Sequence, residues 1–90
     1  MILYRIYTED KNRSRVIERV TRDFDGFTVM TGDGYWKRHV ESCLIIEIVT
    51  PSHNHDKILA IAEWIEACND QESVAIITQT VDVQTVGEKL

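Results

Sequence analysis

The segment from Val40 to Thr50 limits the possible folds of this chain more than any other part of the sequence. Its even positions are mostly aliphatic, whereas its odd positions mix apolar and acidic residues. Successive side chains of a strand point to opposite faces, so the alternation predicts a strand with one face packed against helices and one only partly apolar. Pro51 ends the strand because it has no N–H for the ladder. The even positions are Ser42, Leu44, Ile46 and Ile48, and the odd ones are Glu41, Cys43, Ile45, Glu47 and Val49.

The rest of the chain alternates between strand and helix patterns. Runs rich in β-branched and aromatic residues predict further strands over residues 2–7, 27–31 and 73–81, and a polar tail then ends at Leu90. Apolar residues at helical spacing predict one helix over residues 11–22 and a second that begins after a cap at Ser52 or Asn54. The apolar stripes are Val16, Ile17 and Val20 with Phe24 beyond them, and Ile58, Ile61, Ala62, Ile65 and Cys68.

The resulting order βαββαβ predicts an α+β fold of the ferredoxin-like kind. With right-handed crossovers, it forms a four-stranded antiparallel sheet that carries both helices on one face. The second face of that sheet is too apolar to be left in water, so we expect a homo-oligomer, either a dimer or a trimer, that covers it. The residues expected on this open face are Leu3, Arg5, Tyr7, Cys43, Ile45, Glu47, Val49, Ala75 and Ile77.

Length and composition predict one globular domain over residues 1–90. No apolar run approaches the roughly 20 residues of a membrane span. The first residues carry Arg5 within the apolar stretch and have no small-residue cleavage site, so they predict a strand and not a signal peptide. A cytoplasmic location is expected, and Cys43 and Cys68 are interpreted as small buried hydrophobic residues and not as a disulfide.

The charge of the chain is unevenly distributed. Residues 1–40 carry eight Lys and Arg against six Asp and Glu, whereas residues 41–90 carry two against nine, for a net charge of −5. With a pI of about 5.0, the chain lacks the basic character of a nucleic-acid-binding domain. Four arginines of the first helix form either a solvated face or a contact for the acidic half of another subunit. They are Arg13, Arg15, Arg19 and Arg22.

The stretch GDGYWKRH at residues 32–39 is the main candidate for a binding site. Gly32 and Gly34 predict a tight turn around Asp33 with positive φ at the glycines, and the strand after it then begins with two aromatic residues on opposite faces. In one interpretation the stretch lines a pocket for a small anionic ligand. In the other, an aromatic residue closes the open end of the sheet and the cations protect a hairpin edge from aggregation. The candidate ligand-binding residues are Tyr35, Trp36, Lys37, Arg38 and His39.

Metal and catalytic sites have little support in the sequence. His53 and His55 would point about 200° apart on a helix, so with Asp56 they predict solvated side chains and no metal site. We expect no cofactor. Motifs for nucleophilic, phosphate-binding or zinc-dependent catalysis are absent. The remaining enzyme hypothesis is a small dimeric α/β-barrel enzyme in which His39 or Asp33 transfers a proton.

One passage resembles a family of small ferredoxin-like domains from bacteria whose activity is uncharacterised. The passage runs from Phe24 to Trp36, continues with Glu41 and Ser42, and includes the later run QESV at residues 71–74. The likeness covers about residues 20–80 and implies a fold, but no catalytic residue. The positions that match the pattern are Gly26, Thr28, Gly32, Gly34, Trp36, Glu41 and Ser42.

A more distant resemblance is to the PII-like signalling proteins, carried by the G-x-G-x-W passage at residues 32–36. It implies a βαββαβ trimer that binds nucleotides or small anions between subunits. The long loop with which PII proteins touch their targets is missing between Tyr35 and Val40. The function is therefore expected to be that of a small homo-oligomeric ligand-binding or regulatory domain, with the enzyme hypothesis as its alternative.

Overall fold

The order of elements is βαββαβ, as the sequence predicts. The computed structural model describes residues 1–87, so the end of the predicted polar tail, residues 88–90, lies outside the described residues. A short 3₁₀ turn, Ser52–Asn54, precedes the second helix. The elements are β1 (Ile2–Glu9), α1 (Arg13–Thr21), β2 (Thr28–Trp36), β3 (His39–Thr50), α2 (His55–Asn69) and β4 (Ala75–Thr80).

The four strands form one antiparallel sheet in the order β2-β3-β1-β4. One row of directly paired residues crosses all four strands of the sheet. In it, Ile6 pairs with Ile46 and with Ile76, and Ile46 pairs with Val29. Residues directly opposite each other share a face. This row therefore places aliphatic side chains of every strand on the face that carries the helices, and the ferredoxin-like prediction is confirmed.

The core lies between this face and the two helices. The alternation of β3 is confirmed, because Leu44, Ile46 and Ile48 are fully buried. Both helical stripes are confirmed in outline, although Ile17 is only half-buried. The buried apolar residues are Tyr4, Ile6, Leu44, Ile46 and Ile48 of the sheet, Val16, Val20 and Phe24 of α1 and its end, and Ile58, Ile61, Ala62 and Ile65 of α2.

The cysteines are less buried than expected. Cys43 and Cys68 are both free thiols of intermediate exposure. Cys68 lies at the edge of the α2 stripe, and its neighbour Asn69 is buried instead. Within residues 1–87, no helix combines the length and apolar character that a membrane crossing requires.

The hairpin between β2 and β3 turns at a different place from the predicted one. Gly32 and Gly34 lie inside β2, where they pair with β3, and neither has a positive φ. The turn consists of Lys37 and Arg38, with φ of 49° and 66°. Two consecutive left-handed residues match the twist of a two-residue hairpin. The predicted turn around Asp33 is wrong. A turn there would lose the backbone hydrogen bonds with β3 that continue to the end of β2.

Candidate functional site

A cleft of about 300 Å³ lies at one end of the sheet. The end of β1 and the start of β3 form its floor, the loop between α2 and β4 forms one wall, and Trp36 from the hairpin forms another. By the register of the strands, five of its lining residues lie on the open face of the sheet, namely Tyr7, Glu9, Trp36, Glu41 and Cys43. The cleft is lined by Tyr7, Thr8, Glu9, Trp36, Glu41, Cys43, Gln71, Glu72 and Ser73.

The hairpin projects beyond the rest of the sheet. The last pair between β1 and β3 joins Glu9 to Cys43, and the N–H of Asp10 beyond it donates to the carbonyl of Ser42 at 3.1 Å, so residues 39–41 of β3 pair only with β2. Trp36 closes this ladder opposite His39 and remains 59% exposed. The Nζ of Lys37 lies 5.7 Å from the centre of its ring, a cation–π distance. The indole therefore stands beside a cation at the mouth of the cleft.

A polar network fixes the wall formed by the α2–β4 loop. The hydroxyl of Thr8 donates to Oε1 of Gln71 at 2.6 Å, and Nδ2 of Asn69 donates to the same oxygen at 2.8 Å. Nε2 of Gln71 in turn donates to the carbonyl of Ser73 at 2.6 Å. Thr8 and Asn69 are only 4% and 5% exposed, so these bonds lie in a poorly solvated region where they hold the loop firmly.

Cys43 is the only thiol that lines the cleft among the described residues. Burial raises the pKa of this thiol above its ordinary value, a hydrogen bond with the backbone of Thr8 lowers it, and the negative charge of Asp10 raises it again. Because the pKa is raised, the side chain is a neutral thiol at pH 7 and not a nucleophilic thiolate.

Only one of the five residues predicted to bind ligand lines the cleft, namely Trp36. Tyr35 is 78% exposed and lies one position along the strand, on the opposite face. Lys37 and Arg38 form the turn, and His39 is exposed opposite Trp36. The structure thus gathers the predicted cations at the hairpin tip, next to the cleft but outside its lining.

The two residues of the enzyme hypothesis, Asp33 and His39, do not lie together in the subunit. Asp33 pairs with Ser42, on the face opposite to that of His39 and Trp36, and both titratable residues are exposed. A shared proton transfer between them would require the two side chains to lie on one face.

The two histidines before and at the start of α2 are exposed, as expected. His55 does have a partner, because its Nδ1 lies 3.4 Å from the hydroxyl of Tyr4. Over residues 1–87, no group of three or more His, Cys, Asp or Glu side chains is arranged to hold a metal ion.

Most of the cleft was not predicted as a site. Glu41 and the run at residues 71–73 were noticed as parts of the family pattern, and Tyr7 and Cys43 as members of the open face, but none of them was predicted to line a site. Thr8 and Glu9 carried no separate signal. These residues come together because the end of β1 meets the start of β3 and the α2–β4 loop, which no local spacing indicates.

No family model matches the chain, and no curated protein matches it. Solved structures do match the chain. A DUF3240 family protein from Shewanella baltica OS155 has a TM-score of 0.79 at 10% identity, with 97% of this chain and 96% of that chain covered. CPII, a nitrogen regulatory PII-like protein from Thiomonas intermedia K12, has a TM-score of 0.73 at 13% identity, with 94% and 93% covered. At these identities, the likenesses show the fold of the chain.

Proposed function

We propose that this chain is a single-domain, homo-oligomeric, PII-like regulatory protein that binds a small anionic ligand at the cleft beside Trp36. The observation that carries the proposal is the cleft itself, which combines an exposed indole with a wall held by partly buried hydrogen bonds. Concave sites of this size with one aromatic surface and a few polar groups are typical of small-molecule binding.

The cations at the hairpin tip supply the charge that an anionic ligand needs. Lys37 lies over the indole of Trp36, and Arg38 follows it in the same turn. Neither forms an ion pair with an acidic side chain of residues 1–87, so both guanidinium and ammonium donors are available for phosphate or carboxylate oxygens. CPII of Thiomonas intermedia was solved with ADP, AMP and bicarbonate, all of which are small anions.

Fluorescence of Trp36 tests ligand binding directly. The chain has two tryptophans, and Trp64 packs against the core from α2, so Trp64→Phe leaves Trp36 as the reporter at the cleft. We expect saturable changes in emission on titration with AMP, ADP or bicarbonate. The absence of any saturable change up to millimolar concentrations of all three would refute the proposal.

A pair of charge variants locates the ligand. Replacing both Lys37 and Arg38 with alanine should weaken anion binding by about tenfold or more, because each contact to a charged oxygen contributes about 1.5–3 kcal/mol when desolvated and less when exposed. The matched control replaces Arg15 and Lys57, which are exposed and lie on the helices. Equal losses in the two double variants would show that net charge alone is responsible.

The open face supports self-association. Its exposed members include Val49 and Ile77, and Met30 of β2 lies on the same face because it pairs with Ile45. The central charges of the face, Arg5 and Glu47, pair with each other at 2.8 Å. This ion pair neutralises the face locally, so a second copy can cover it without leaving an unpaired charge. We propose that subunits associate through this face.

Sedimentation velocity tests the interface with two similar substitutions. Ile77 is 47% exposed on the open face, and Leu59 is 43% exposed on α2. Ile77→Lys should shift the protein toward the monomer, whereas Leu59→Lys should leave its oligomeric state unchanged. A wild-type protein that sediments as a monomer at micromolar concentration would contradict this part of the proposal.

A cytoplasmic location belongs to the same proposal. Both cysteines are free thiols, the state that a reducing compartment maintains.

A further inference from the structure

The cleft and the hairpin tip carry opposite charge. Among the nine lining residues are three glutamates and no Lys, Arg or His. Glu9 is paired with Lys11 at 3.5 Å, but no cation of residues 1–87 lies within 4.0 Å of the carboxylates of Glu41 and Glu72. An anion placed wholly inside the cleft would therefore face two unpaired carboxylates.

Three of the side chains that line the cleft use a hydrogen-bond donor within the protein. The hydroxyl of Thr8 donates to Gln71, and the amide of Gln71 donates to Ser73. The thiol of Cys43 points to the carbonyl of Leu44 at 3.8 Å. The lining also contains the hydroxyls of Tyr7 and Ser73 and the indole N–H of Trp36, but its charged groups are all carboxylates, and these require a ligand that brings N–H donors.

The indole of Trp36 suits the same kind of ligand. The ammonium of Lys37 at 5.7 Å shows that the ring already accommodates a cation on its face. Tyr7 contributes a second aromatic side chain to the lining. Flat groups stack on such rings, and amino and ammonium groups are attracted to their π-faces.

We propose, on the basis of the function proposed above, that the ligand carries both an anionic group and an amino or ammonium group. The amino group enters the cleft and donates to the carboxylates of Glu41 and Glu72. The anionic group stays outside, at Lys37 and Arg38. The two glutamates are then specificity-determining residues, because they exclude anions that have acceptors only.

AMP and IMP test this directly, because they differ at one ring position where AMP carries an amino group and IMP a carbonyl oxygen. By calorimetric titration of the wild-type protein we expect AMP to bind about tenfold or more tightly than IMP. The double variant Glu41→Gln, Glu72→Gln should abolish that preference, because a neutral amide can accept from the amino group of AMP or donate to the carbonyl oxygen of IMP. The control Glu63→Gln, Glu66→Gln removes the same charge from exposed positions of α2 and should keep the preference.

The possible outcomes separate this inference from the proposed function. The inference would be overturned, and the proposed function would stand, if AMP and IMP bound equally or IMP bound more tightly. The same holds if the preference for AMP persisted in the variant Glu41→Gln, Glu72→Gln. Binding of bicarbonate without either nucleotide would do the same. Failure of all three to bind would count against both. Thermal unfolding of each variant confirms that it is folded, and all four substituted positions are exposed.

Discussion

Replacing Asn69 with aspartate tests how the wall of the cleft is held. The new side chain has the same shape and can still accept the bond from Nδ2 of Asn12, now 3.0 Å long, but it cannot donate to Gln71 at 2.8 Å or to Thr8 at 3.4 Å. Gln71 cannot compensate by rotating its amide, because its oxygen would then face the carbonyl of Ser73, which its Nε2 contacts at 2.6 Å. A carboxylate oxygen would thus face an amide oxygen in a buried site.

The expected cost of Asn69→Asp at neutral pH is about 2–4 kcal/mol. Two lost donor bonds contribute about 1 kcal/mol each, the longer one less, and the poorly solvated carboxylate, whose second oxygen has no donor, adds about 1–2 kcal/mol more. A domain of this length has a free energy of unfolding of roughly 5–13 kcal/mol. The variant should therefore remain folded, with a Tm lower by roughly 10–25 °C.

The pH dependence of this cost gives a second check. Burial, and the lack of a donor to its second oxygen, raise the pKa of the introduced carboxyl in the folded state above the value of about 3.9 that it has in the unfolded chain. The folded state then binds a proton more readily, so the destabilisation is complete above the folded pKa and shrinks as the pH falls toward the unfolded value. Urea unfolding at pH 8 and pH 5 should show a smaller difference from wild type at pH 5.

Asn54→Asp is the matched control. Asn54 makes a comparable bond, from its Nδ2 to the hydroxyl of Thr50 at 2.6 Å, but it lies just before α2. A negative charge there is favourable, and the hydroxyl can turn to donate. We expect a change within about 1 kcal/mol. If Asn69→Asp were equally mild, or if its cost did not shrink in acid, the assignment of this network would be refuted.

Three further predictions follow from the sheet. Ile46→Ala removes a fully buried side chain of a central strand and should cost about 2–5 kcal/mol by urea unfolding; a cost below about 1 kcal/mol would contradict its place in the core. Arg38→Gly should raise the Tm by several degrees, because glycine removes the strain of a left-handed backbone at φ 66°. Gly34→Ala should leave the Tm nearly unchanged, because the added Cβ would make only ordinary contacts at 3.6 Å. In a Cys68→Ser background, Cys43 should react with iodoacetamide more slowly than free cysteine at pH 7.5 and accelerate into the alkaline range, and a rate equal to free cysteine would show that its pKa is not raised.

The hairpin shows where local sequence is insufficient. The glycines at 32 and 34 are typical turn residues, and Lys37 and Arg38 are not, so a turn around Asp33 was the natural prediction. The choice depends on the pairing of β2 with β3, which continues to Trp36 and His39. Backbone bonds gained along the longer ladder outweigh the cost of two left-handed residues, about 1–2 kcal/mol each.

The sequence by itself determined the layers of this protein. The alternation along β3 and the stripe of α2 predicted which side chains are buried, because the direction of a side chain follows from the backbone period within one element. Only the tertiary structure determined which residues line the cleft. Trp36, Glu41 and Gln71 belong to different elements, and they meet because the register of three strands and the length of one loop bring those ends together. Periodicity within an element contains no information about which ends become neighbours, so apart from Trp36 the residues of the site could be recognised only once the sheet was assembled.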